Sequence, residues 1–407
     1  MRRITAGLSA AAFATMLGCG TALAADANAF AERLKEAMAS MGGNLTYDEA
    51  VSENDTVIMR GVKLGRGAGR VDVGQVNFEN VVGEANTGYE VDRVGFEDIA
   101  GTDEAEGDRK ISYDISGMSI EDLLIAGTEP SNSQPTPLQG IPFFFKLGTI
   151  ANIKLSEDGE DTFTMTNLTA NSDVGQDGSF DSKLSLANFQ MVVPEGDDRE
   201  GANVARELGY DVLTGSMTAE TAWKPENGDL SFSPIVLNVQ NVGTLQTDLA
   251  ISGYTPQVIQ SLQDVTEKMQ QNPESQQNGG MALMGILAQL SVAKVSLAFQ
   301  DDSLTQRLID YYAKETNQSP EAIIDLATQT VQANLGQIGD DAFRNQVVSA
   351  VKTFLEKPET IRVSTEPAQP IPVMQLVGAA MGAPQTIPNV LQLQVQTDGG
   401  KSIESSQ

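Results

Sequence analysis

The sequence predicts an α+β, β-rich fold: an elongated antiparallel meander sheet with an N-terminal helix and a helical C-terminal part. Three observations lead there. From Asn44 to about Gly253, short runs alternate apolar and polar residues between Gly, Asn and Asp, the pattern of strands with one wet face. The phrase VGQVNFENVVG at Val73–Gly83 recurs as VDRVGFEDIAG at Val91–Gly101, with a fainter third copy, ISGMSIEDLL, from Ile115. After Tyr254, apolar residues recur at helical spacing.

Residues 1–24 read as a secretory leader. Arg2 and Arg3 precede an apolar run to Leu17, and Ala22-Leu23-Ala24 supplies an A-x-A cleavage site. The expected location is therefore the periplasm. Cys19, the only cysteine, lies in this leader, where Met16-Leu17-Gly18-Cys19 loosely matches a lipoprotein box. The A-x-A reading is preferred because Leu17 fits that box poorly. No later stretch approaches the roughly eighteen apolar residues that a membrane-spanning helix needs, so no transmembrane segment is expected in the mature chain.

Residues 25–253 are read as an N-terminal helix plus an antiparallel β-repeat region. Asp26 caps an amphipathic helix carrying Phe30, Leu34, Met38 and Met41 on one face. Alternation at Phe163/Met165, Leu184/Leu186, Leu230/Phe232, Ile235/Leu237/Val239 and Leu249/Ile251 marks strands. In the repeat, valines three apart lead to a phenylalanine two further on, which suits a strand with an irregularity near Gly74 and Asp92. Each copy would be one rung of the meander, burying its Val and Phe on one face. The acids Glu79, Glu97, Asp98, Glu121 and Asp122 would mark solvated rung ends; a calcium ladder is the weaker reading, because no D-x-D-x-D-G loop occurs. Thr128–Gly140 reads as a Pro/Ser/Gln-rich loop leading to Phe143, Phe144 and Phe145, for which burial is expected. Trp223 is read as a core anchor at a hairpin.

Residues 254–407 are read as an α+β C-terminal region packed on, or continuing, the sheet. Thr255-Pro256 starts a helix, and MALMGILAQL, apolar all round and too short to span a membrane, is expected to be buried. A strand follows at Val295–Phe299. Helices are expected near Leu304–Ala313, from Ser319-Pro320-Glu321 and from Asp341 to Pro358. Strands at Thr360–Ser364 and Leu391–Val395 frame the apolar stretch IPVMQLVGAAMGA.

Composition removes several chemistries. With 55 acidic against 26 basic residues the formal charge is −29, which repels nucleic acid and anionic membranes; no nucleic-acid partner is expected. Histidine is absent, removing Ser-His and Cys-His nucleophiles and histidine metal sites. Neither a metal nor a cofactor is expected. Ser291-Val-Ala-Lys294 spells S-x-x-K without its partner motifs S-D-N and K-T-G, and Gly61–Gly69 lacks the Lys-Ser/Thr ending of a phosphate loop. A carboxylate-pair hydrolase remains a remote alternative, since nothing marks one pair among so many acids.

ETAWKPENGDLSF, LTQRLIDYYAKETNQSPEAI and FLEKPETIRVSTEPAQPIPVMQLVG resemble a family of exported, functionally uncharacterised proteins found mainly in alphaproteobacteria. GVKLG and VGQVNFENV are similar to strand repeats of AsmA-like envelope proteins. The resemblance implies a long antiparallel sheet with C-terminal helices and carries no catalytic residues. The AsmA-like group implies an apolar, lipid-holding face, although this chain is short and lacks that group's membrane anchor.

The resulting expectation is a non-enzymatic periplasmic envelope protein that binds a lipid or other apolar ligand on a curved sheet. Val76, Phe78, Val94 and Phe96 would line the apolar face, although residue by residue plain core packing against helices is the simpler reading. Arg60, Lys63, Arg66 and Arg70, in an acid-free run, first read as a glycine-loosened turn whose charges meet surrounding carboxylates; the sharper reading is a basic lip that meets a headgroup. The alternative is an envelope scaffold that engages a protein partner through a strand edge or surface contacts.

Overall fold

Asp26 sets the first element. Its carboxylate accepts hydrogen bonds from the backbone N–H groups of Asn28 (3.0 Å) and Ala29 (3.1 Å), capping α1 (Ala27–Ser40). Phe30, Ala31, Leu34 and Ala37 are buried on one side of this helix. Met41 lies past its end and is exposed. The computed structural model describes residues 26–397 apart from 67–68, 105–108, 130–140, 176, 194–199, 272–275 and 339. Residues 1–24, read above as a leader and containing Cys19, and most of the Thr128–Gly140 loop fall outside the described residues.

The alternating region forms β1 (Asn44–Thr46), β2 (Glu49–Glu53), β3 (Thr56–Arg66), β4 (Gly69–Glu79), β5 (Val82–Glu84), β6 (Gly88–Phe96), β7 (Ile99–Glu104) and β8 (Lys110–Ala126). It continues through β9 (Phe143–Phe144), β10 (Leu147–Glu157), β11 (Glu160–Val174) and β12 (Phe180–Val192). After α2 (Glu200–Glu207), which the sequence reading missed, come β13 (Val212–Lys224), β14 (Asp229–Val239) and β15 (Gly243–Ser252). The C-terminal part adds α3 (Pro256–Gln271), α4 (Gln276–Leu287), β16 (Ser291–Asp301), α5 (Leu304–Thr316), α6 (Pro320–Asn334) and α7 (Asp341–Glu356). It closes with β17 (Thr360–Thr365), β18 (Ile371–Pro372), α8 (Val373–Gly382), α9 (Ile387–Leu391) and β19 (Gln394–Thr397). Leu391, expected to open the last strand, therefore ends a helix instead.

All the described strands join one antiparallel sheet. Its main rungs follow chain order, β3-β4-β6-β8, then β10 through β17, then β19. The repeat maps onto neighbouring rungs as expected. The copies run antiparallel, so Val76 pairs with Phe96, Phe78 with Val94, and Val94 with Ile120. The acids Glu79, Glu97, Asp98, Glu121 and Asp122 are all exposed, but Glu121 and Asp122 lie inside the long β8 rather than at its end. Among the described residues no group of three or more acids gathers as a metal site.

The three-then-two spacing has a backbone cause. Side chains on a regular strand alternate faces, yet Val73 and Val76, three apart, are both buried. Gly74 between them has φ +68°, and the β3–β4 register shifts on either side of the Val62–Gly74 pair. One left-handed residue inserts an extra position and returns the next apolar side chain to the same face. The same slip occurs at Gly61 between Met59 and Val62, at Gly117 between Ile115 and Met118, and at Asn167 between Met165 and Leu168. In the second copy, the step from Val91 to Val94 lies opposite Asp122, which has φ +52°. Together these residues draw a crease across the strands.

The slips keep one face of the sheet apolar. Following paired residues across it gives Val57, Phe78, Val94, Ile120, Gly148, Ala170, Leu184, Ala219, Ile235, Thr247, Leu297, Val363 and Val395. A parallel row runs Met118, Ile150, Leu168, Leu186, Met217, Leu237, Leu245, Phe299 and Ile361. From β8 to β13 the opposite face is polar in register: Ser119, Thr149, Thr169, Ser185 and Thr218 follow one another, and the hydroxyls of Ser119 and Thr149 are 2.9 Å apart. The row then passes to Val236 and Ala298, both buried.

Helices cover the apolar face at its two ends. At the first, α1 packs on β1, β2, β3 and β8. At the other, α7 packs on β17 and β19, with the rings of Phe299 and Phe354 6.3 Å apart. Capping follows the sequence there: the Ser319 hydroxyl accepts from the Ala322 N–H (3.3 Å) and the Asp340 carboxylate from the Phe343 N–H (2.9 Å). Trp223 is buried at the β13–β14 hairpin, and its indole N–H donates to the Tyr254 carbonyl (2.8 Å). The expected burial of MALMGILAQL is overturned. Met281, Leu283 and Met284 are exposed, with Ile286 the buried contact, because α4 packs on α3 and α8 rather than beneath the sheet.

At Gly117 (φ +64°) an added Cβ would lie 2.6 Å from the Ala151 Cβ. Gly117→Ala should therefore destabilise the protein by about 2 kcal/mol. Gly95, whose Cβ would meet open space, should accept alanine within about 0.5 kcal/mol. Urea unfolding of both variants checks the crease; equal stability would refute it.

Candidate functional site

Where α1 roofs the sheet, the packing leaves a cavity of about 140 Å³ in which every lining side chain is apolar. Leu34 and Met38 of α1 form its roof, and Met59, Val62 and Leu64 of β3 one wall. Val76, Phe78, Val94 and Phe96, the four residues singled out from the repeat, all line it. The structure thus brings this set together, with the first three buried and Phe96 half-buried. Ile120, Phe143 and Phe145 stand on the side facing the rest of the sheet. Its apolar lining suits a small apolar group.

The Phe143–Phe145 run is half-buried rather than enclosed. Phe144 meets Phe180 at 6.3 Å, whereas Phe145 lies against Gly148, where an added Cβ would come within 3.1 Å of its ring. Gly148 occupies the apolar row between Ile120 and Ala170. Its missing side chain lets Phe145 sit between the roofed cavity and the strands beyond.

Past Phe145 the apolar face continues, and among the described residues no helix roofs it to a comparable extent. Along a single row, relative exposure is 1% at Val57, 4% at Phe78 and 1% at Val94. Leu184, Ala219 and Ile235 are only half-buried, and Leu297 reaches 48% before Val395 falls to 5% under α7. Six strands, β10 to β15, carry this uncovered zone. At about 4.8 Å per strand it is roughly 25 Å across.

α1 is held over the cavity by aromatic and polar contacts. Phe30 meets Phe78 and Tyr89 edge-on at 4.9 and 5.1 Å. The Arg33 guanidinium donates to the Ala126 carbonyl at the end of β8 (2.6 Å). The Tyr47 hydroxyl donates to the Glu32 carboxylate (2.8 Å). Burial first, and then this bond to Glu32, push the Tyr47 phenol up to about 12, while the same bond lowers Glu32. Burial also raises Tyr89, helped by the charges of Asp26 and Glu84.

The basic residues are placed differently. Arg60 and Lys63 lie on the face of β3 opposite Met59, Val62 and Leu64. Arg60 pairs with Glu49 (2.8 Å) and Glu53 (4.0 Å), and Lys63 with Asp72 (3.8 Å). Arg66 and Arg70 flank the β3–β4 turn, where Arg70 pairs in register with Gly65; their side chains lie outside the described residues. Arg60 and Lys63 are therefore not gathered at the cavity. The uncovered zone over β10–β15 was missed as a site, although its alternating residues were read. Periodicity shows which side chains share a face but not what covers them.

Fold and site together define a β-rich α+β protein built on a single sheet, with an apolar face roofed at both ends. A family model described as "Uncharacterized protein" matches residues 236–398, from within β14 to just past β19. Comparison with curated proteins finds no match. Among the described residues, no helix is long and apolar enough to cross a membrane.

Phe30→Ala should cost about 3–5 kcal/mol and loosen α1, read by urea unfolding; a loss below 1 kcal/mol would refute the roof's dependence on this ring. The Tyr47 phenol, with its raised folded-state pKa, contributes stability that is present below its ordinary value near 10 and lost as pH rises through about 12. The ultraviolet titration difference between the wild type and Tyr47→Phe should thus have its midpoint near 12. A midpoint near 10 would show that Tyr47 is neither buried nor bonded to Glu32 in solution.

Proposed function

We propose that the protein is an exported, non-enzymatic envelope protein of the periplasm that holds a lipid or other long apolar ligand along the unroofed face of its sheet. One observation carries this reading. A single cross-strand apolar row is buried under α1, half-buried over β10–β15, and buried again at Val395. Soluble domains normally close such a face with a second layer, and large uncovered apolar patches mark binding sites. The zone, roughly 25 Å across, exceeds the roughly 15 Å that half a bilayer's hydrocarbon core provides for an acyl chain. The roofed cavity would take the end of such a chain, with Phe145 at the junction. From β10 to β13 the polar opposite face leaves one side for the ligand.

Arg60 and Lys63 play no part in this reading, since neighbouring carboxylates already pair with them. The strand-edge scaffold has less support. The edge strand β2 is short and carries exposed Glu49 and Glu53, a combination that discourages pairing with another chain.

Native mass spectrometry of protein purified from its own periplasm without detergent is the direct test. A reproducible extra mass, extractable by organic solvent as lipid, is expected. Leu186→Glu combined with Met217→Glu should keep the fold within about 1 kcal/mol per site, because both residues are half-buried, and should lose that mass. A bare polypeptide mass in the wild type would overturn the proposal.

A further inference from the structure

A second apolar surface lies at one end of the strands and is built by two helices distant in sequence. Residues Gln276–Ala293 contain no charged side chain, nor do residues Pro367–Thr397, in a chain whose net charge is −29. The first stretch holds α4 and the second holds α8. The two helices pack together and are tied at their bases. The Val373 N–H, at the start of α8, donates to the Leu290 carbonyl just after α4 (2.9 Å), and β18 pairs with Ser291 and Val292. Yet the pair presents its apolar side chains to solvent: Met281 is 69% exposed, Met381 83%, and Leu283 and Met284 are close to 40%. No residue of α8 is buried.

We propose that α4 and α8 form a membrane-docking face that rests on a bilayer of zwitterionic lipids. Both helices are far too short to span a bilayer, but an apolar helix surface of this kind partitions into the headgroup–acyl boundary. Charge selects the occupant. An anionic surface would repel the acidic body, and a second copy would bring another −29 against it. A zwitterionic surface imposes neither cost and matches the uncharged face. Flexible methionines suit a partner without fixed shape. This inference goes beyond ligand holding and stands or falls separately from it.

The test is flotation of the purified chain with phosphatidylcholine vesicles. The wild type should float with them, and doping the vesicles with phosphatidylglycerol should weaken binding. Met281→Glu, Met284→Glu and Met381→Glu together should reduce partitioning by at least about tenfold, with circular dichroism confirming the fold. Met381→Glu alone, at the most exposed of these positions, should weaken binding without touching the packing. Leu326→Glu, on the exposed surface of α6, should float as the wild type does. Failure of the wild type to float, or flotation of the triple variant at wild-type strength, would overturn the proposal. So would a dimer in sedimentation that the same substitutions dissolve while vesicle binding is unchanged. Flotation of a protein that carries no extractable lipid would retain the docking face and remove only the ligand reading.

Discussion

A left-handed residue set into strand after strand is the constraint on which the rest of this molecule depends. A strand's side chains change sides at every residue, so a long regular strand cannot bury valines three apart. Gly61, Gly74, Gly117 and Asn167 each insert one position with positive φ, and the apolar sequence then resumes on the side it left. Without these slips the second halves of β3, β4, β8 and β11 would turn their apolar side chains toward the polar face. With them, one face stays apolar from β3 to β19. The roofed cavity, the uncovered zone and the helical caps are all arranged on that face.

The ends of the sheet are settled by ordinary packing. Phe30 presses its ring edge-on to Phe78 and Tyr89, and Phe354 meets Phe299 at the far end. The N-terminal contacts form the main core cluster, whereas Ile309, Ala313 and Ile323 form a smaller one among α5 and α6. Between them, β10 to β15 pack chiefly strand against strand. Their stability rests on ladder hydrogen bonds and on cross-strand pairs such as Leu168–Leu186 and Met217–Leu237.

Much of this was legible in the sequence where the signal is local. Asp26 and Ser319 announced the helices they cap, the repeat announced neighbouring rungs, and the irregular spacing placed a backbone fault near Gly74. Val76, Phe78, Val94 and Phe96 were recognisable as one apolar set because their spacing fixes a shared face. The missing parts were tertiary. Arg60 and Lys63 read first as charges met by nearby carboxylates, as Glu49 and Asp72 do meet them, but which acids reach them is set only by strand pairing. MALMGILAQL read as buried because an all-round apolar helix usually is, and no local pattern reveals that α4 packs on α8 outside the sheet. The fault in the second copy was traced to Asp92, while the left-handed backbone sits across the ladder at Asp122.

Because each main rung pairs chiefly with its neighbours in the chain, the sheet grows in one dimension, much as a solenoid does. Hairpins such as β11–β12 or β13–β14 could be gained or lost in the middle without disturbing either cap, provided the new strands kept their apolar side chains in register with the row. The separation of the two caps is then a heritable length, set by how many hairpins lie between them, and the span of the apolar strip is a ruler that evolution can adjust in steps of two strands.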